Sequence, residues 1–165
     1  MDHNGNTILH LAAENAADPL VIDQILKSAE TPKLLVEKRN SSGNTPLHLV
    51  AETGESAEVL LQLLAWGANP NTLASPTDNW VGKKRGLTPL HMAATRKDDL
   101  REDMILALLA FGADTMVKDT KEGWTALHRA LLDPNPTVLL MLLEGQFQQE
   151  NLIDRAGSRL CQMCL

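Results

Sequence analysis

The sequence predicts an all-α solenoid, a single domain of stacked helix–turn–helix units joined by hairpin-like loops. Three observations carry that expectation. A four-residue phrase recurs as Thr7-Ile8-Leu9-His10, Thr45-Pro46-Leu47-His48, Thr88-Pro89-Leu90-His91 and Thr125-Ala126-Leu127-His128, and self-similarity at a near-fixed period marks a repeat architecture. Each copy keeps the same company: a glycine two residues before the threonine (Gly5, Gly43, Gly86, Gly123) and a small or apolar pair after the histidine (Ala12-Ala13, Val50-Ala51, Ala93-Ala94, Ala130-Leu131). Finally, the 165 residues are 44% hydrophobic yet hold five aromatic residues and no tyrosine, so Leu and Ala must fill the core. That composition disfavours β architectures.

Each unit reads turn, helix, turn, helix, loop. In the first, residues 2–38, Gly5 permits a tight turn and Thr7 caps the helix that follows. Asp18-Pro19 stiffens the turn between its helices, Ile25-Leu26 lies in the second, and Ala29 to Lys38 lengthens the exit. The second unit, 39–84, starts its first helix with Pro46, which has no amide to leave unpaired, and supplies Val59, Leu60, Leu63 and Leu64 to the shared interior. Gly67 stops that helix in the left-handed conformation. Thr72 to Lys84 is then a long inserted loop carrying Trp80 and ending in Lys83-Lys84-Arg85. The third unit, 85–117, inserts Arg96-Lys97-Asp98-Asp99 between its helices and stops at Gly112. The fourth, 118–153, turns through Asp133-Pro134-Asn135-Pro136 and weakly echoes the helix end at Leu142-Leu143-Glu144-Gly145. Residues 154–165 open a degenerate fifth unit that caps the stack or is cut short. No unit covers its apolar face alone, so the units stack with neighbour-only contacts.

These residues resemble the ankyrin repeat family from Asp2 to about Gly145. The threonines recur after 38, 43 and 37 residues (7 to 45, 45 to 88, 88 to 125), against a family period of about 33, and the surplus is insertion. The resemblance implies a protein–protein interaction module without catalysis, binding through hairpin tips and the exposed side of each first helix. Carried over by position, the candidate partner-binding residues are Asn44, Glu52, Arg85, Leu87, Arg96, Lys121, Glu122, Trp124 and Leu132, with Trp80 added from the inserted loop. Leu87, Trp124 and Leu132 are the apolar anchors, and Arg85 and Arg96 are expected to select an acidic partner.

Composition narrows the partners. With 15 Lys+Arg against 21 Asp+Glu the formal charge is −6, which gives no electrostatic reason to seek nucleic acid. No apolar run approaches the roughly 18 residues of a membrane span, and the N-terminus has no secretory pattern. Cys161 and Cys164 are the only cysteines, so no disulfide framework holds the fold; a cytoplasmic or nuclear setting and a monomer are expected. Their spacing is half a zinc site without its second half, and no metal or cofactor is expected. The four repeated histidines would fall one per layer, where they cannot converge on an ion. They read instead as imidazoles bonding within and between layers. Trp66 and Phe111 occupy one register position and read as packing between layers. Asp98-Asp99 and Glu102-Asp103 read as a solvated turn and helix start.

Two further readings stand beside the interaction module. Trp80 and Trp124 across adjacent hairpins, with Glu122 nearby, would enclose a methylated lysine by cation–π attraction. Alternatively the chain is the scaffold or targeting portion of a larger effector or enzyme. Trp124 itself has two readings, as a docking ring or as packing on the neighbouring hairpin.

Overall fold

Four threonines start four helices, each by the same local chemistry. In a computed structural model, described for residues 2–15, 18–74 and 86–145, the first helices of successive units are α1 (Ile8–Glu14), α4 (Pro46–Thr53), α6 (Pro89–Ala94) and α8 (Ala126–Ala130). Each follows Thr7, Thr45, Thr88 or Thr125 in extended conformation, with the histidine at the third helical position closing a reciprocal cap. The second helices are α2 (Pro19–Ser28), α5 (Ala57–Ala65) and α7 (Leu100–Ala110), followed in the fourth unit by α9 over 136–145. No strand occurs among the described residues.

The first helices pack in series, α1 on α4, α4 on α6 and α6 on α8, while α2 packs on α5 and α5 on α7. One apolar cluster runs between these two rows, from Leu9, Ile22 and Leu26 through Leu47, Leu60 and Leu63 to Leu90, Met104, Leu108 and Leu142. Each such leucine, fully buried, stabilises the stack by about 1.5–3 kcal/mol. Ala13, Ala51, Ala93 and Ala94 are buried where the helices approach, which explains why rings are scarce.

The histidines rivet the layers. The Thr7 amide donates to His10 Nδ1 at 3.2 Å, so the ring proton sits on Nε2, which donates to the Asn44 carbonyl of the next unit at 3.0 Å. His48 Nε2 does the same to the Leu87 carbonyl at 3.1 Å and His91 Nε2 to the Trp124 carbonyl at 2.9 Å. Burial pushes the His10 and His91 pKa values down, only partly opposed by these carbonyls. The expectation that the imidazoles bond within and between layers therefore holds for these three; His128 bonds within its unit, to Thr125, and the segment that would follow it lies outside the described residues.

One element departs from the sequence reading. The exit of the first unit contains a helix, α3 (Pro32–Val36), because Pro32 supplies its first position and Val36 reaches the core. Gly145, read as an echo of a helix end, is the last described residue of α9, and a Cβ there would come within 3.1 Å of Leu109 Cδ2. Gly67 by contrast ends α5 with φ +90°, its amide and that of Ala68 bonding back to the Leu64 and Leu63 carbonyls. No atom lies within 4 Å of a Cβ at Gly67, so Gly67→Ala meets backbone strain alone and is expected to cost about 1–2 kcal/mol. At Gly145 the helix preference for Ala offsets contact with a flexible side chain, and Gly145→Ala is expected to stay within about 0.5 kcal/mol. Urea denaturation of the two variants checks the contrast.

Candidate functional site

The hairpin tips are knitted by a side-chain oxygen that gathers the backbone amides of the turn. Asp2 Oδ1 accepts from Asn4 and Asn6 at 2.9 and 2.7 Å, and Asn40 Oδ1 from Ser42 and Asn44, both at 3.0 Å. Asp119 Oδ1 accepts from Glu122 at 2.8 Å and Gly123 at 2.9 Å. Adjacent tips are tied together as well: the Ser41 amide donates to the Asn4 carbonyl at 2.9 Å, and Asn40 Nδ2 to Asn6 Oδ1 at 2.9 Å.

This geometry exposes residues before Gly5, Gly43 and Gly123, among them Asn4, Ser41, Lys121 and Glu122, and turns the residue after each of the four turn glycines inward. The carbonyl of that inner residue is the acceptor of the preceding unit's histidine. Asn44, expected at a tip, is accordingly 0% exposed, and neither atom of its side-chain amide has a hydrogen-bond partner. It offers nothing to a partner. Leu87 and Trp124, at the same register, are half-buried.

In the fourth unit a charged cluster surrounds Trp124. The Arg129 guanidinium lies 5.5 Å from the centre of the indole and its Nη2 pairs with Asp119 Oδ2 at 2.5 Å and Glu122 Oε2 at 3.3 Å. Burial alone would raise the Asp119 pKa; the hydrogen bond from Arg129 and the turn amides overcome it and bring it to about 2. Lys121 pairs with Glu122 at 3.8 Å on the exposed side. One face of the indole therefore already carries a cation from within the chain. Trp80, the other half of the proposed aromatic pair, lies outside the described residues, as do Lys83-Lys84-Arg85, Phe147, Cys161, Cys164 and the fifth-unit fragment.

Arg96, expected at the surface, is instead 8% exposed. Its Nη2 donates to the Gly54 carbonyl at 2.8 Å and its Nη1 to the Val50 carbonyl at 3.3 Å, satisfying the open end of α4 in the preceding unit, while Asp98 holds the guanidinium from the other side. That pairing keeps the Asp98 carboxyl below its usual range, so Asp98 is more than a solvated turn residue. Arg101 acts likewise one layer on, donating from Nη2 to the Ala94 carbonyl at 2.6 Å and from Nη1 to the Asp133 carbonyl at 3.2 Å. A polar cleft of about 540 Å³ opens here, lined by Lys97, Asp99, Glu102, Asp133 and Asn135 among others, at the end of the helices away from the tips. Sequence reasoning missed Arg101 and Arg129 as interior groups. Among the described residues no group of three or more His, Cys, Asp and Glu is placed to hold a metal ion, and no helix is long and apolar enough to cross a membrane.

A family model described as ankyrin repeats, in three copies, matches residues 1–74 and again 72–152. The chain belongs to the ankyrin-repeat family. No curated protein matches it significantly. Ankyrin repeats are generally protein–protein interaction modules, typically without catalysis. On this ankyrin stack the inner-helix register that follows each capping threonine by four residues holds Leu11, Leu49, Met92 and Arg129; Leu11 is exposed and the other three are buried. What the ankyrin inner edge of units two to four leaves at the surface is Glu52 and Thr53, Thr95, and Leu131 and Leu132, the last 64% exposed. Trp66 packs half-buried against the core, as expected of an interlayer ring, whereas Phe111 is 44% exposed.

Proposed function

We propose that the chain binds a partner protein or peptide through the tip and inner edge of its fourth unit, extending back over the third and second. The reading rests above all on the fourth unit, where the half-buried Trp124 and exposed Leu132 bracket one helix beside Lys121 and Glu122. Apolar groups rimmed by charge favour docking. Trp124, Leu132 and Leu87 serve as anchors, Lys121 and Glu122 as the rim, and Glu52 as the far end of the footprint. Arg96 has no part in it, since its guanidinium is spent inside the stack; Arg85 remains a candidate for the same edge. Affinity capture from native cells tests the placement. A Leu132→Glu bait and a Trp124→Ala, Leu132→Ala bait, each shown folded by circular dichroism, are expected to lose the recovered partner by about tenfold or more. Undiminished recovery on both folded baits rejects it.

A further inference from the structure

We infer that the outer-helix face of units two to four is a second docking surface, built for a basic amphipathic helix of a partner protein laid along the stack across α5, α7 and α9. Three leucines carry it. Leu61, Leu106 and Leu140 are 40%, 49% and 60% exposed, and each sits at the middle of the outer helix of its unit, so they repeat once per layer. A single exposed leucine means nothing, but the same register exposed in consecutive layers makes a continuous apolar stripe. Small exposed residues, Ala65 and Ala110, follow Leu61 and Leu106 by one helical turn and leave room beside the stripe.

Within the three outer helices the exposed charges are of one sign. Glu58 and Asp103 are exposed one turn before Leu61 and Leu106, and Glu144 is exposed on α9. Within the spans 57–65, 100–110 and 136–145 the one basic residue is Arg101, whose side chain is 6% exposed and bonded inside. A leucine stripe whose own helices expose only carboxylates selects its occupant. An anionic membrane surface is repelled, and a second copy of the chain would set the same acidic row against itself. A helix with Lys or Arg on one flank is complementary. The spacing fits too: packed helices lie 8–10 Å apart and a helix rises about 10 Å per heptad, so one apolar side chain per heptad meets one leucine per layer.

Fluorescence anisotropy with the full chain tests this. The probe is a labelled, end-blocked peptide of three heptads with Leu once per heptad and Lys on one flank; its counterpart carries Glu in place of Lys. The Lys peptide is expected to bind, and Leu61→Gln with Leu106→Gln to weaken it by about tenfold or more. Glu58→Lys with Asp103→Lys should transfer preference to the Glu peptide. All these positions are exposed, so the variants are expected to fold. Trp124→Ala should leave peptide binding unchanged, which separates this surface from the fourth-unit edge. No binding of the Lys peptide, equal binding of both peptides, or undiminished binding by the leucine variant overturns the proposal. So does a wild-type dimer in sedimentation velocity that Leu106→Gln disperses, which would assign the face to a second copy.

Discussion

Arg129→Ala is expected to destabilise the chain by about 3–5 kcal/mol, since removing one partner of a buried ion pair leaves the other charge uncompensated. The orphan is Asp119, whose side chain is 0% exposed and whose Oδ2 accepts from Arg129. Its Oδ1 stays committed to the amides of Glu122 and Gly123, so the carboxylate cannot leave the turn to find water. Replacing both charges together, as Asp119→Asn with Arg129→Met, should recover part of the loss, because the amide oxygen can still accept from the turn and Met fills the guanidinium's volume. The pair also predicts an acid limb. Asp119 has a pKa of about 2 in the fold against 3.8 when free, so between those values the unfolded chain binds more protons and stability rises with pH. The contribution, about 2 kcal/mol, is complete above pH about 5 and disappears as pH falls through 2. Urea midpoints from pH 7 down to 3 should fall for the wild type, and the part of that slope due to Asp119 should shrink in Arg129→Ala. A variant as stable as the wild type would show that the pair contributes nothing.

The features legible in the sequence are those whose chemistry closes within a few residues. Thr7 and His10, or Thr88 and His91, interact across three positions, and Gly67 sets its own backbone, so phrase and punctuation suffice to place helix starts and stops. Arg96 was misread, and Arg101 and Arg129 passed over, for the opposite reason. Arg96 finds its acceptors at Val50 and Gly54, in the preceding layer, and no local pattern distinguishes such a residue from a surface charge. A signal did exist for Arg129: it occupies the register that Leu11, Leu49 and Met92 fill in the other units, and a charge at an otherwise apolar position calls for a buried counter-ion. Asn44 shows a smaller error. The position after the turn glycine was taken for the tip, but its carbonyl serves the histidine of the previous layer, and a residue so held cannot also face outward. The interior list of α5 was read rightly, since Val59, Leu60, Leu63 and Leu64 are buried and Leu61, left out of it, is exposed; that Leu61, Leu106 and Leu140 line up across layers follows only from the stacking.

His91→Ala is expected to cost about 2–4 kcal/mol and to uncouple the fourth unit from the third. The substitution removes the Nε2 bond to the Trp124 carbonyl and the Nδ1 contacts to the Thr88 amide and hydroxyl, at 3.3 and 2.7 Å. It leaves the Thr88 amide unpaired in the interior at about 1–3 kcal/mol and opens a cavity, while the Trp124 carbonyl loses one of its two donors and keeps the Asp119 amide at 2.8 Å. Because units in a stack meet only their neighbours, weakening one interface permits part of the array to unfold first. With Trp66→Phe and Trp80→Phe as background, Trp124 fluorescence reports the fourth unit. Its urea transition should precede the loss of far-UV circular dichroism in His91→Ala, and coincide with it when His91 is intact. His91→Gln should restore the cap within the unit but not the bond to the next, and so recover the part of the loss due to the Thr88 amide. The pH dependence has a definite sign. The folded His91 pKa lies below its free value of 6.5, because burial disfavours the imidazolium and Nδ1 must stay bare to accept from Thr88. The unfolded chain therefore takes up protons first as pH drops, and stability, fully present above about 6.5, declines below it. Wild-type midpoints should be lower at pH 5.5 than at 7.5, and the difference should narrow in His91→Ala, since one buried imidazole that resists protonation is gone. A fourth unit that melts with the rest in His91→Ala would mean that apolar packing of α6 against α8 carries the coupling and the histidine only aligns it.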